Sequence, residues 1–289
     1  MKALRFAEFG PPEVMSVVET PAPHAGPGRV RIAVRAAGVS RTDSLIRAGA
    51  TPPVPLPRIP GLDAAGVVDQ VGEDVRGYRI GDEVFGIAPG GACAEHAVLT
   101  HFARKPPAMS WADAAGLPSA VEAALRALET LRPAPGDVLL ITGAAGAVGL
   151  AAAQLARARG LLVAGVAAPD AHDLLRGFGI TPVAAPEVAR ALVPDGIDCV
   201  FDAAGTLTPD LIALAGAADR VVTSGPSGDT GALSLTTDAP RRAWHGLAEA
   251  AGLFERGEFR LPVDRTFPLA AGPEAHHLSD SGHRLALLL

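Results

Sequence analysis

A glycine-rich turn between an apolar run and an alanine-rich stretch constrains the fold more than any other feature. The segment Gly136–Gly149 reads GDVLLITGAAGAVG, in which a predicted strand ends at Gly143 and a predicted helix follows. In such a unit the first glycine permits a tight turn, Gly146 lets a phosphate approach the backbone, and Gly149 lets the helix pack closely on the strand. The helix N-terminus adds unpaired N–H groups and the positive end of its dipole. The spacing is GxxGxxG, and its context predicts a dinucleotide site; a turn that serves packing alone is the alternative.

The residues after this turn alternate between strand and helix patterns. Apolar, β-branched runs are separated by amphipathic stretches over residues 136–235. The predicted strands are Val138–Thr142, Leu161–Val166, Cys199–Ala203 and Arg220–Ser224, and the predicted helices include Ala171–Phe178 and Asp210–Ala215. Strands that alternate with helices form a parallel, doubly wound sheet, so this part of the chain is predicted to be an α/β domain.

The residues before position 110 have a different pattern, with short strands separated by glycines and prolines. The predicted strands are Val30–Val34, Ala64–Val71, Asp82–Phe85 and Ala94–Leu99. Many short strands of this kind indicate a barrel or a sandwich. A helix over Ala112–Leu131, begun by Ser110 and Asp113, leads into the α/β part. The tail is predicted to form a helix over Arg241–Arg256, a strand near Leu261–Val263 and a helix near Pro273–Leu278.

Composition limits the class of protein. With 289 residues, 48% of them hydrophobic, 19% charged and a net charge of −6, the chain has room for two folded domains and does not suit disorder or nucleic-acid binding. Cys93 and Cys199 lie far apart in the sequence, and two buried reduced thiols are favoured over a disulfide. The first residues show no signal-peptide pattern, and the uncharged run Val138–Ala156 is broken by glycines and polar residues. A cytoplasmic protein without a membrane span is therefore expected.

Eight further segments follow one another in a recognisable order. They are AAGVSRTDSLIRAG (36–49), PGLDAAGVVDQVG (60–72), GDEVFG (81–86), GGACAEHAVL (90–99), AAGLPSAVEAALRAL (114–128), FDAAG (201–205), RVVTSG (220–225) and FPLAAGPEAHHL (267–278). Together with the glycine-rich turn they resemble the medium-chain dehydrogenase/reductases that do not use zinc, in particular the quinone oxidoreductase branch. The resemblance covers nearly the whole chain.

The resemblance implies a fold and an activity. It implies a GroES-like catalytic domain from residues 1–113 and 241–289, a Rossmann-type domain from residues 114–240, and a cofactor in the cleft between them. The implied activity is a zinc-independent, NAD(P)H-dependent reduction of a quinone or an α,β-unsaturated carbonyl. The alternatives are an enoyl-thioester reductase of lipid or polyketide metabolism and a nucleotide-binding protein with little catalysis. The expected partner is a small-molecule substrate, with no nucleic acid and no membrane.

The resemblance also implies which residues form the site. The cofactor is expected along the glycine-rich turn and the ends of the later strands, at Gly143, Ala145, Gly146, Ala147, Val148, Gly149, Ala204, Gly205, Ser224, Gly225 and Ser227. Thr42 and Asp43 are expected beside the nicotinamide. Ser40 or Thr42, acting through a water molecule, is the candidate for assisting proton transfer, and protonation by solvent is the alternative. Asp43 could instead cap a helix that begins at Ser44.

No metal site is predicted. In the zinc alcohol dehydrogenases of this family a cysteine ligand occupies the position of Ser40, and a glycine-histidine-glutamate ligand motif aligns with residues 61–63, which read GLD here. Serine and leucine are not zinc ligands, and a catalytic zinc site needs about three good protein ligands. The eight histidines are dispersed, and His276 and His277 are expected to be solvated on a surface helix.

Two positions where relatives carry a hydroxyl differ in this chain. A tyrosine that some members use as proton donor aligns with Leu45 or Thr51, and the single tyrosine, Tyr78, lies in a segment that indicates a structural role. A threonine that contacts the nicotinamide aligns with Ala123, which follows Glu122. A buried carboxylate at that position needs a partner or a proton, and a glutamate on the helix surface is the alternative.

The preference between the two nicotinamide cofactors stays open. The family favours NADPH, and NADH is not excluded. The predicted second strand of the sheet is followed by Ala167, Ala168, Pro169 and Asp170, with no lysine or arginine for a 2′-phosphate. Asp170 is a candidate for binding the ribose diol of NADH, and the alternative is an acidic residue at a helix start.

The chain is shorter than its relatives by about 20–40 residues, and the shortfall lies between Leu235 and Trp244. Relatives have a further strand and helix there, and the strand pairs across a dimer in many of them. A sheet shortened by a strand and a changed or absent dimer contact are therefore expected.

Overall fold

The computed structural model describes residues 1–192, 196–235, 242–279 and 283–289. They form two compact units. The β-rich unit contains Met1–Ser119, Leu247–Arg256 and Leu261–Leu289, and the α/β unit contains Ala120–Gly246 and Gly257–Arg260. The units divide after Ser119 and after Gly246, whereas the sequence predicted domain boundaries after residues 113 and 240. Each unit is described separately below.

The strands and helices are numbered in chain order. The strands are β1 (Lys2–Arg5), β2 (Ser16–Glu19), β3 (Val30–Val39), β4 (Asp63–Val71), β5 (Glu83–Ile87), β6 (His96–Leu99), β7 (His101–Arg104), β8 (Val138–Thr142), β9 (Leu162–Val166), β10 (Thr181–Val183), β11 (Cys199–Asp202), β12 (Val221–Thr223), β13 (Leu233–Ser234), β14 (Arg265–Pro268) and β15 (Leu285–Leu288). The helices are α1 (Arg41–Arg47), α2 (Trp111–Ala115), α3 (Pro118–Leu131), α4 (Ala147–Ala158), α5 (His172–Gly177), α6 (Pro186–Leu192), α7 (Pro209–Ala215), α8 (Gly246–Glu255) and α9 (Gly272–Leu278).

The β-rich unit is built around a mostly antiparallel sheet with β3 at its centre. The sheet runs in the order β14-β15-β3-β4-β5-β7, with β6 also paired to β3, and β1 and β2 form a separate antiparallel pair. Strand β3 pairs with β4 with register shifts between Arg31 and Ile32 and between Val34 and Ala36, and residues 30–33 of β3 also pair with β6. A Cβ at Gly66 in β4 would lie 2.3 Å from the Ala33 carbonyl oxygen in β3. Because glycine has no side chain, β4 can approach β3 closely at this point. The sequence pattern predicted β3, β4, β5 and β6, although it ended β3 five residues too early, and it did not predict β1, β2, β7 or β15.

The α/β unit has a parallel sheet of six strands in the order β10-β9-β8-β11-β12-β13. All five neighbouring pairs are parallel. This is the doubly wound order 3-2-1-4-5-6, in which the strand order reverses between the first and the fourth strand, here β8 and β11. Every residue of β8 is buried, as expected for a strand with helices on both faces of the sheet. The predicted fold class, a β-rich domain joined to a parallel α/β domain, is confirmed.

Several element boundaries differ from the sequence-based prediction. The single helix predicted over Ala112–Leu131 is two helices, because Gly116 ends α2 and Pro118, which has no N–H group to donate, begins α3. The strand predicted near Leu261–Val263 does not form, since the Val263 N–H donates 2.8 Å to Asp113 Oδ1 rather than to a neighbouring strand. The strand lies later, at β14. The helix predicted from Arg241 begins at Gly246, and Arg241 lies outside the described residues.

The prediction that the sheet is shortened by a strand is wrong for the described residues. The sheet retains six strands, but the last, β13, has only two residues. The connection from β12 to β13 covers residues 224–232 and contains no helix, although a parallel crossover usually needs a dozen or more residues and a helix. Of the segment where the sequence placed the shortfall, residues 236–241 lie outside the described part of the chain. The expected change in a dimer contact stays a prediction.

The prediction of two buried, unlinked thiols is confirmed, because Cys93 and Cys199 are both buried and free. Across the described residues, no helix is both long enough and apolar enough to span a lipid bilayer.

Glu122 on α3 is buried and paired, which excludes the alternative of a glutamate on the helix surface. Its side chain is 2% exposed, and its Oε1 accepts a 2.7 Å bond from Arg126 Nε. Its Oε2 accepts a 2.8 Å bond from Arg242 Nη1, and the Ala243 N–H donates to Oε1 at 3.2 Å. Glu122 therefore joins the residues after the sheet to helix α3, and the arginines compensate the cost of burying its charge.

We expect Glu122→Ala to reduce the free energy of unfolding by about 3–5 kcal/mol, because it leaves two guanidinium groups around an empty, poorly solvated position. The control is Glu129→Ala on the same helix, where a half-exposed carboxylate pairs with the exposed His245. That variant should lose at most about 1 kcal/mol. Urea unfolding followed by circular dichroism measures both, and equal losses in the two variants would show that the buried ion pairs are not a main source of stability.

Candidate functional site

The glycine-rich turn has the tight geometry that its spacing predicted. Strand β8 ends at Thr142, and Gly143 adopts a positive φ of 60°. A Cβ at Gly143 would lie 3.1 Å from the Ala204 backbone nitrogen, which follows the neighbouring strand β11. The turn then closes with a 3.0 Å bond from the Gly146 N–H to the Gly143 carbonyl oxygen. Gly143 is therefore required both for the backbone conformation and for the approach of β11.

The helix after the turn packs directly on the turn backbone. A Cβ at Gly149 would lie 2.3 Å from the Gly143 carbonyl oxygen and 2.8 Å from the Ala144 Cα, so no side chain fits there. Helix α4 is capped by the backbone of Gly146 without a side-chain cap. The N–H groups of its first turn, at Ala147 and Val148, have no partner within the helix, and both residues are only partly buried. The positive end of the dipole of this 12-residue helix therefore lies at an accessible turn with unpaired N–H groups, which suits the binding of a diphosphate.

A buried carboxylate ties together the ends of three neighbouring strands. Asp202, at the end of β11, is fully buried, and its Oδ1 accepts a 2.6 Å bond from Thr142 Oγ1 on β8. Its Oδ2 accepts a 2.7 Å bond from Thr223 Oγ1 on β12, which in turn accepts a 3.0 Å bond from the Gly225 N–H. Asp202 lies in the FDAAG motif, and the motif by itself predicted no role for this carboxylate. Its signal was a lone carboxylate at the end of an apolar strand.

The other predicted cofactor residues lie on the loops that this network positions. Gly205 has a positive φ of 72°, and a Cβ at Gly225 would lie 2.4 Å from the Gly205 carbonyl oxygen. Ser224 is exposed and donates 3.1 Å to the Ala203 carbonyl oxygen, and Ser227 is partly buried. The structure therefore brings the loops after β8, β11 and β12 to the same edge of the sheet, beside the point where the strand order reverses. Ligands of open α/β sheets bind at this position.

The loop after β9 carries the candidate for the ribose. Pro169–Ala171 form one turn of 3-10 helix before α5, with Asp170 exposed in that turn. The imidazole of His172 lies 3.1 Å from the Ala167 carbonyl oxygen through Nε2. No lysine or arginine lies between Gly160 and Leu175. The geometry is that of an acidic residue at a helix start, and it also leaves the Asp170 carboxylate open to a ligand.

In the β-rich unit, the candidates for proton transfer form the start of helix α1. Ser40 is the N-cap, and its hydroxyl accepts the Asp43 N–H at 3.4 Å. The Asp43 Oδ2 accepts the Ser40 N–H at 2.9 Å and the Ser40 hydroxyl at 2.6 Å. The helix therefore begins at Arg41, one turn before the start expected at Ser44. Thr42 is exposed, whereas Asp43 is 4% exposed and its carboxylate accepts hydrogen bonds from Ser40.

The β-rich unit contains a second buried carboxyl group. Asp63, at the start of β4, accepts a 2.6 Å bond from Ser119 Oγ and a 3.2 Å bond from the Ser119 N–H. Burial, with a smaller contribution from the charge of Asp43, raises the pKa of Asp63 to about 7. Burial likewise raises the pKa of Asp43, against the hydrogen bonds from Ser40 and Gly61.

The residues at this position do not fit zinc. Ser40 Oγ is bonded to Asp43, Leu62 offers only hydrocarbon, and Asp63 is bonded to Ser119. Within the described ranges, no three His, Cys, Asp or Glu side chains come together as a metal-ligand group. No step of the chemistry is therefore assigned to zinc.

The structure agrees with the expectation for Tyr78 and contradicts the expectation for His276. Tyr78 packs edge-on against Phe102, with ring centroids 4.8 Å apart, and lies beneath the Arg104 guanidinium, which agrees with a structural role. His276 is fully buried, so the expectation of a solvated residue is wrong. Burial, with smaller contributions from Arg47 and His277, lowers the pKa of His276 to about 4. His277 is exposed and pairs with Glu13, because neighbouring residues on a helix face different directions.

The strand order, the glycine turn and the loops at the carboxyl ends of β8, β11 and β12 are those of a Rossmann-type fold, which is typical of dinucleotide-binding proteins. Comparisons with known proteins extend this result. Residues 26–114 match the alcohol dehydrogenase GroES-like domain, and residues 181–285 match the zinc-binding dehydrogenase family.

Among curated relatives, the chain is 30% identical to a quinone oxidoreductase of Pseudomonas aeruginosa, over 95% of this chain and 94% of that protein. It is 34% identical to the spectinabilin polyketide synthase system protein NorB of Streptomyces orinoci, over 94% of this chain. The match covers only 14% of that much longer protein. A solved quinone oxidoreductase from Coxiella burnetii superposes with a TM-score of 0.84 at 28% identity, covering 100% of this chain and 99% of the other.

The chain belongs to the quinone oxidoreductase branch of the medium-chain dehydrogenase/reductases. It is an oxidoreductase of an NAD(P)-dependent family. The family resemblance stated from the sequence motifs is thereby confirmed, whereas the individual site residues stay predictions.

We expect Gly149→Ala to weaken nucleotide binding by about tenfold or more, because the added methyl group must displace the turn, and overpacking of this kind costs about 1–3 kcal/mol. The control is Gly177→Ala in α5, where a Cβ meets nothing within 4 Å. Quenching of protein fluorescence by NADPH and NADH measures both dissociation constants. Normal binding by Gly149→Ala would show that the turn does not hold the cofactor.

Proposed function

We propose that this protein is an NAD(P)H-dependent reductase that transfers a hydride to a quinone or an α,β-unsaturated carbonyl without a metal ion. The observation that carries the proposal is the glycine turn at the reversal point of the parallel sheet, in a chain whose full-length relatives are quinone oxidoreductases. When bound, the reduced nicotinamide supplies the hydride.

The residues of the α/β unit would bind and orient the cofactor. We assign the diphosphate to the N–H groups around Gly146, Ala147 and Val148, where the α4 dipole ends. The loops at Gly205 and Gly225 would hold the rest of the dinucleotide, since neither glycine has a side chain to keep a ligand away from the backbone. Asp202 fixes the spacing of these loops by bonding Thr142 and Thr223, so it acts on the cofactor through the backbone. Holding the reactants in one orientation is the main contribution of a protein that supplies no Lewis acid.

On the β-rich unit, Ser40 and Thr42 are the side chains we assign to the substrate. Thr42 is exposed in the first turn of α1, and Ser40 is partly exposed at its N-cap. A reduced quinone or enolate needs one proton, and a hydroxyl that is itself hydrogen-bonded can pass a proton on. Tyr78 packs in a cation–aromatic cluster, which supports a mechanism without a tyrosine donor.

The proposed cofactor is NADPH, as the family resemblance implies, with NADH as the alternative. The exposed Asp170 carboxylate favours NADH, because it would repel a 2′-phosphate and could accept hydrogen bonds from a ribose diol. Dissociation constants for the two cofactors separate these possibilities.

A second candidate function is the reduction of enoyl thioesters. It is supported by the match of 94% of this chain to a segment of the polyketide synthase protein NorB. The hydride chemistry would be the same, and the acceptor would carry a longer acyl chain. A third reading is a nucleotide-binding protein with little catalysis.

We expect the purified protein to oxidise NADPH or NADH in the presence of small quinones or enones, as followed by the loss of absorbance of the reduced nicotinamide. Turnover of enoyl thioesters without turnover of quinones would favour the second candidate. Tight cofactor binding with no oxidation across the panel would defeat both enzymatic proposals and support the third reading.

We expect chelation to leave this activity unchanged, because neither Ser40 nor Leu62 can hold a zinc ion. The measurement is the rate before and after exhaustive dialysis against EDTA, together with the metal content of the protein by mass spectrometry. A loss of rate that added zinc restores would contradict the metal-free proposal.

A further inference from the structure

The polar and apolar residues of helix α1 lie on the opposite faces from those of an ordinary surface helix. A helix at the surface of a domain normally turns its apolar residues toward the core. The three buried residues of α1 are all polar, namely Asp43, Ser44 and Arg47. Leu45, in contrast, is 37% exposed, and Ile46 is partly buried and packs against the core. The packing of the helix therefore gives no reason for an apolar residue at position 45.

Phe9 is held beside the end of α1 by hydrogen bonds between its neighbour Gly10 and Arg47. The Gly10 N–H donates to the Arg47 carbonyl oxygen at 3.1 Å, and Arg47 Nη1 donates to the Gly10 carbonyl oxygen. A Cβ at Gly49 would lie 3.1 Å from Phe9 Cγ, so the ring fills the space into which a side chain at position 49 would project. In this place the Phe9 side chain is 41% exposed. A buried arginine thus fixes an aromatic residue at the surface.

Thr42 and Leu45 lie on one face of α1, and Gly49 follows on that face just after the helix ends. Residues three and four positions apart are neighbours on a helix surface, so the three positions form a row. All three are exposed, and the Phe9 ring lies against the last of them. With a rise of 1.5 Å per residue, the row is about 10 Å long. A hydroxyl at one end is thus followed by two exposed apolar side chains, Leu45 and Phe9, and adjoining apolar residues of this kind mark a contact surface.

We propose that Leu45 and Phe9 bind a hydrocarbon substituent of the acceptor, and that the substrates are quinones or enones with such a substituent near the reacting group. The inference rests on the proposed function, which assigns Ser40 and Thr42 to the substrate. The row continues directly from Thr42, so a substituent of several carbons would extend along it. Contact with two apolar side chains removes the substituent from water, which favours the binding of longer acceptors.

The test uses linear enones that differ only in chain length, from 3-penten-2-one to 3-nonen-2-one, with the cofactor that the wild-type protein oxidises faster. Each methylene group that leaves water for an apolar contact favours binding by a factor of about two to four. We therefore expect wild-type kcat/KM to rise by about this factor for each added methylene group. If the protein reduces quinones but not enones, 2-alkyl-1,4-benzoquinones of increasing chain length provide the same comparison.

Two variants remove the apolar contacts separately. Leu45→Gln makes the position polar with a residue that still favours a helix, and Phe9→Ala removes the ring while Gly10 and Arg47 can still bond to each other. Each variant should lower kcat/KM for the longest acceptor by about tenfold and that for the shortest by less than about twofold, because only the longer chain reaches the two side chains. Circular dichroism verifies that both variants are folded.

Ile80→Ala is the matched control, because Ile80 is an apolar residue of the same unit that is 68% exposed and lies outside α1. It should leave the dependence on chain length unchanged. Wild-type kcat/KM that does not rise with chain length would overturn the inference. An equal loss for short and long acceptors in Leu45→Gln and Phe9→Ala would also overturn it, since a purely structural role predicts that result. A wild-type protein that reduces no acceptor would instead defeat the proposed function.

The contact can also be measured without turnover. Calorimetric titration of the saturated ketones 2-pentanone and 2-nonanone into the wild-type protein should show tighter binding of the longer ketone by about tenfold or more. Leu45→Gln and Phe9→Ala should reduce this difference, and Ile80→Ala should retain it. Equal binding of the two ketones by the wild-type protein, or an unchanged difference in Leu45→Gln and Phe9→Ala, would overturn the inference.

Discussion

The Asp202 carboxylate is the interaction on which the α/β unit depends most. It is fully buried, and its two oxygens bond the hydroxyls of Thr142 and Thr223, so the ends of β8, β11 and β12 are held at fixed spacing. That spacing places Gly143 against the backbone of Ala204 and allows Gly225 to pass Gly205. The loops that would bind a dinucleotide are therefore positioned by a group that need not touch it. A buried carboxylate is tolerable here because donors on both neighbouring strands replace its water.

The other buried acidic residues discussed above differ in whether their hydrogen-bond donors are charged or neutral. Glu122 is bonded by Arg126 and Arg242, and its charge is compensated within the structure. Asp43 and Asp63 receive only hydroxyl and amide donors, so their charge is not compensated and protonation is favoured. The ion pairs of Glu122 join segments that are far apart in the chain, whereas Asp43 and Asp63 are each bonded to a serine at the start of a helix.

Local sequence patterns predicted much of the architecture. The alternation of apolar runs and amphipathic stretches placed β8, β9, β11 and β12 within about two residues, because a strand buried on both faces has a composition that a surface loop cannot have. The glycines of the turn also marked local backbone requirements, whereas the helix predicted over Ala112–Leu131 ran through Pro118, which in fact begins α3. Short or edge elements, such as β10 and β13, were missed because three or fewer residues carry no periodicity.

Side-chain environments were predicted less well. The sequence left open whether Glu122 is buried, because its helix position alone does not reveal that Arg242, 120 residues later, bonds to it. His276 and His277 are neighbours in sequence, and only packing decides that one is buried and the other exposed.

By itself, the sequence determined the α/β class, the glycine turn, the family and the absence of zinc-ligand residue types at positions 40 and 62, because each of these depends on residue identity and local spacing. Only the tertiary structure decided that Asp202 joins three strands and that Asp43 and Asp63 are each buried and bonded to a serine hydroxyl. Those facts depend on which distant segments meet, since burial and hydrogen bonding between residues far apart in the chain are set by the packing of the whole unit.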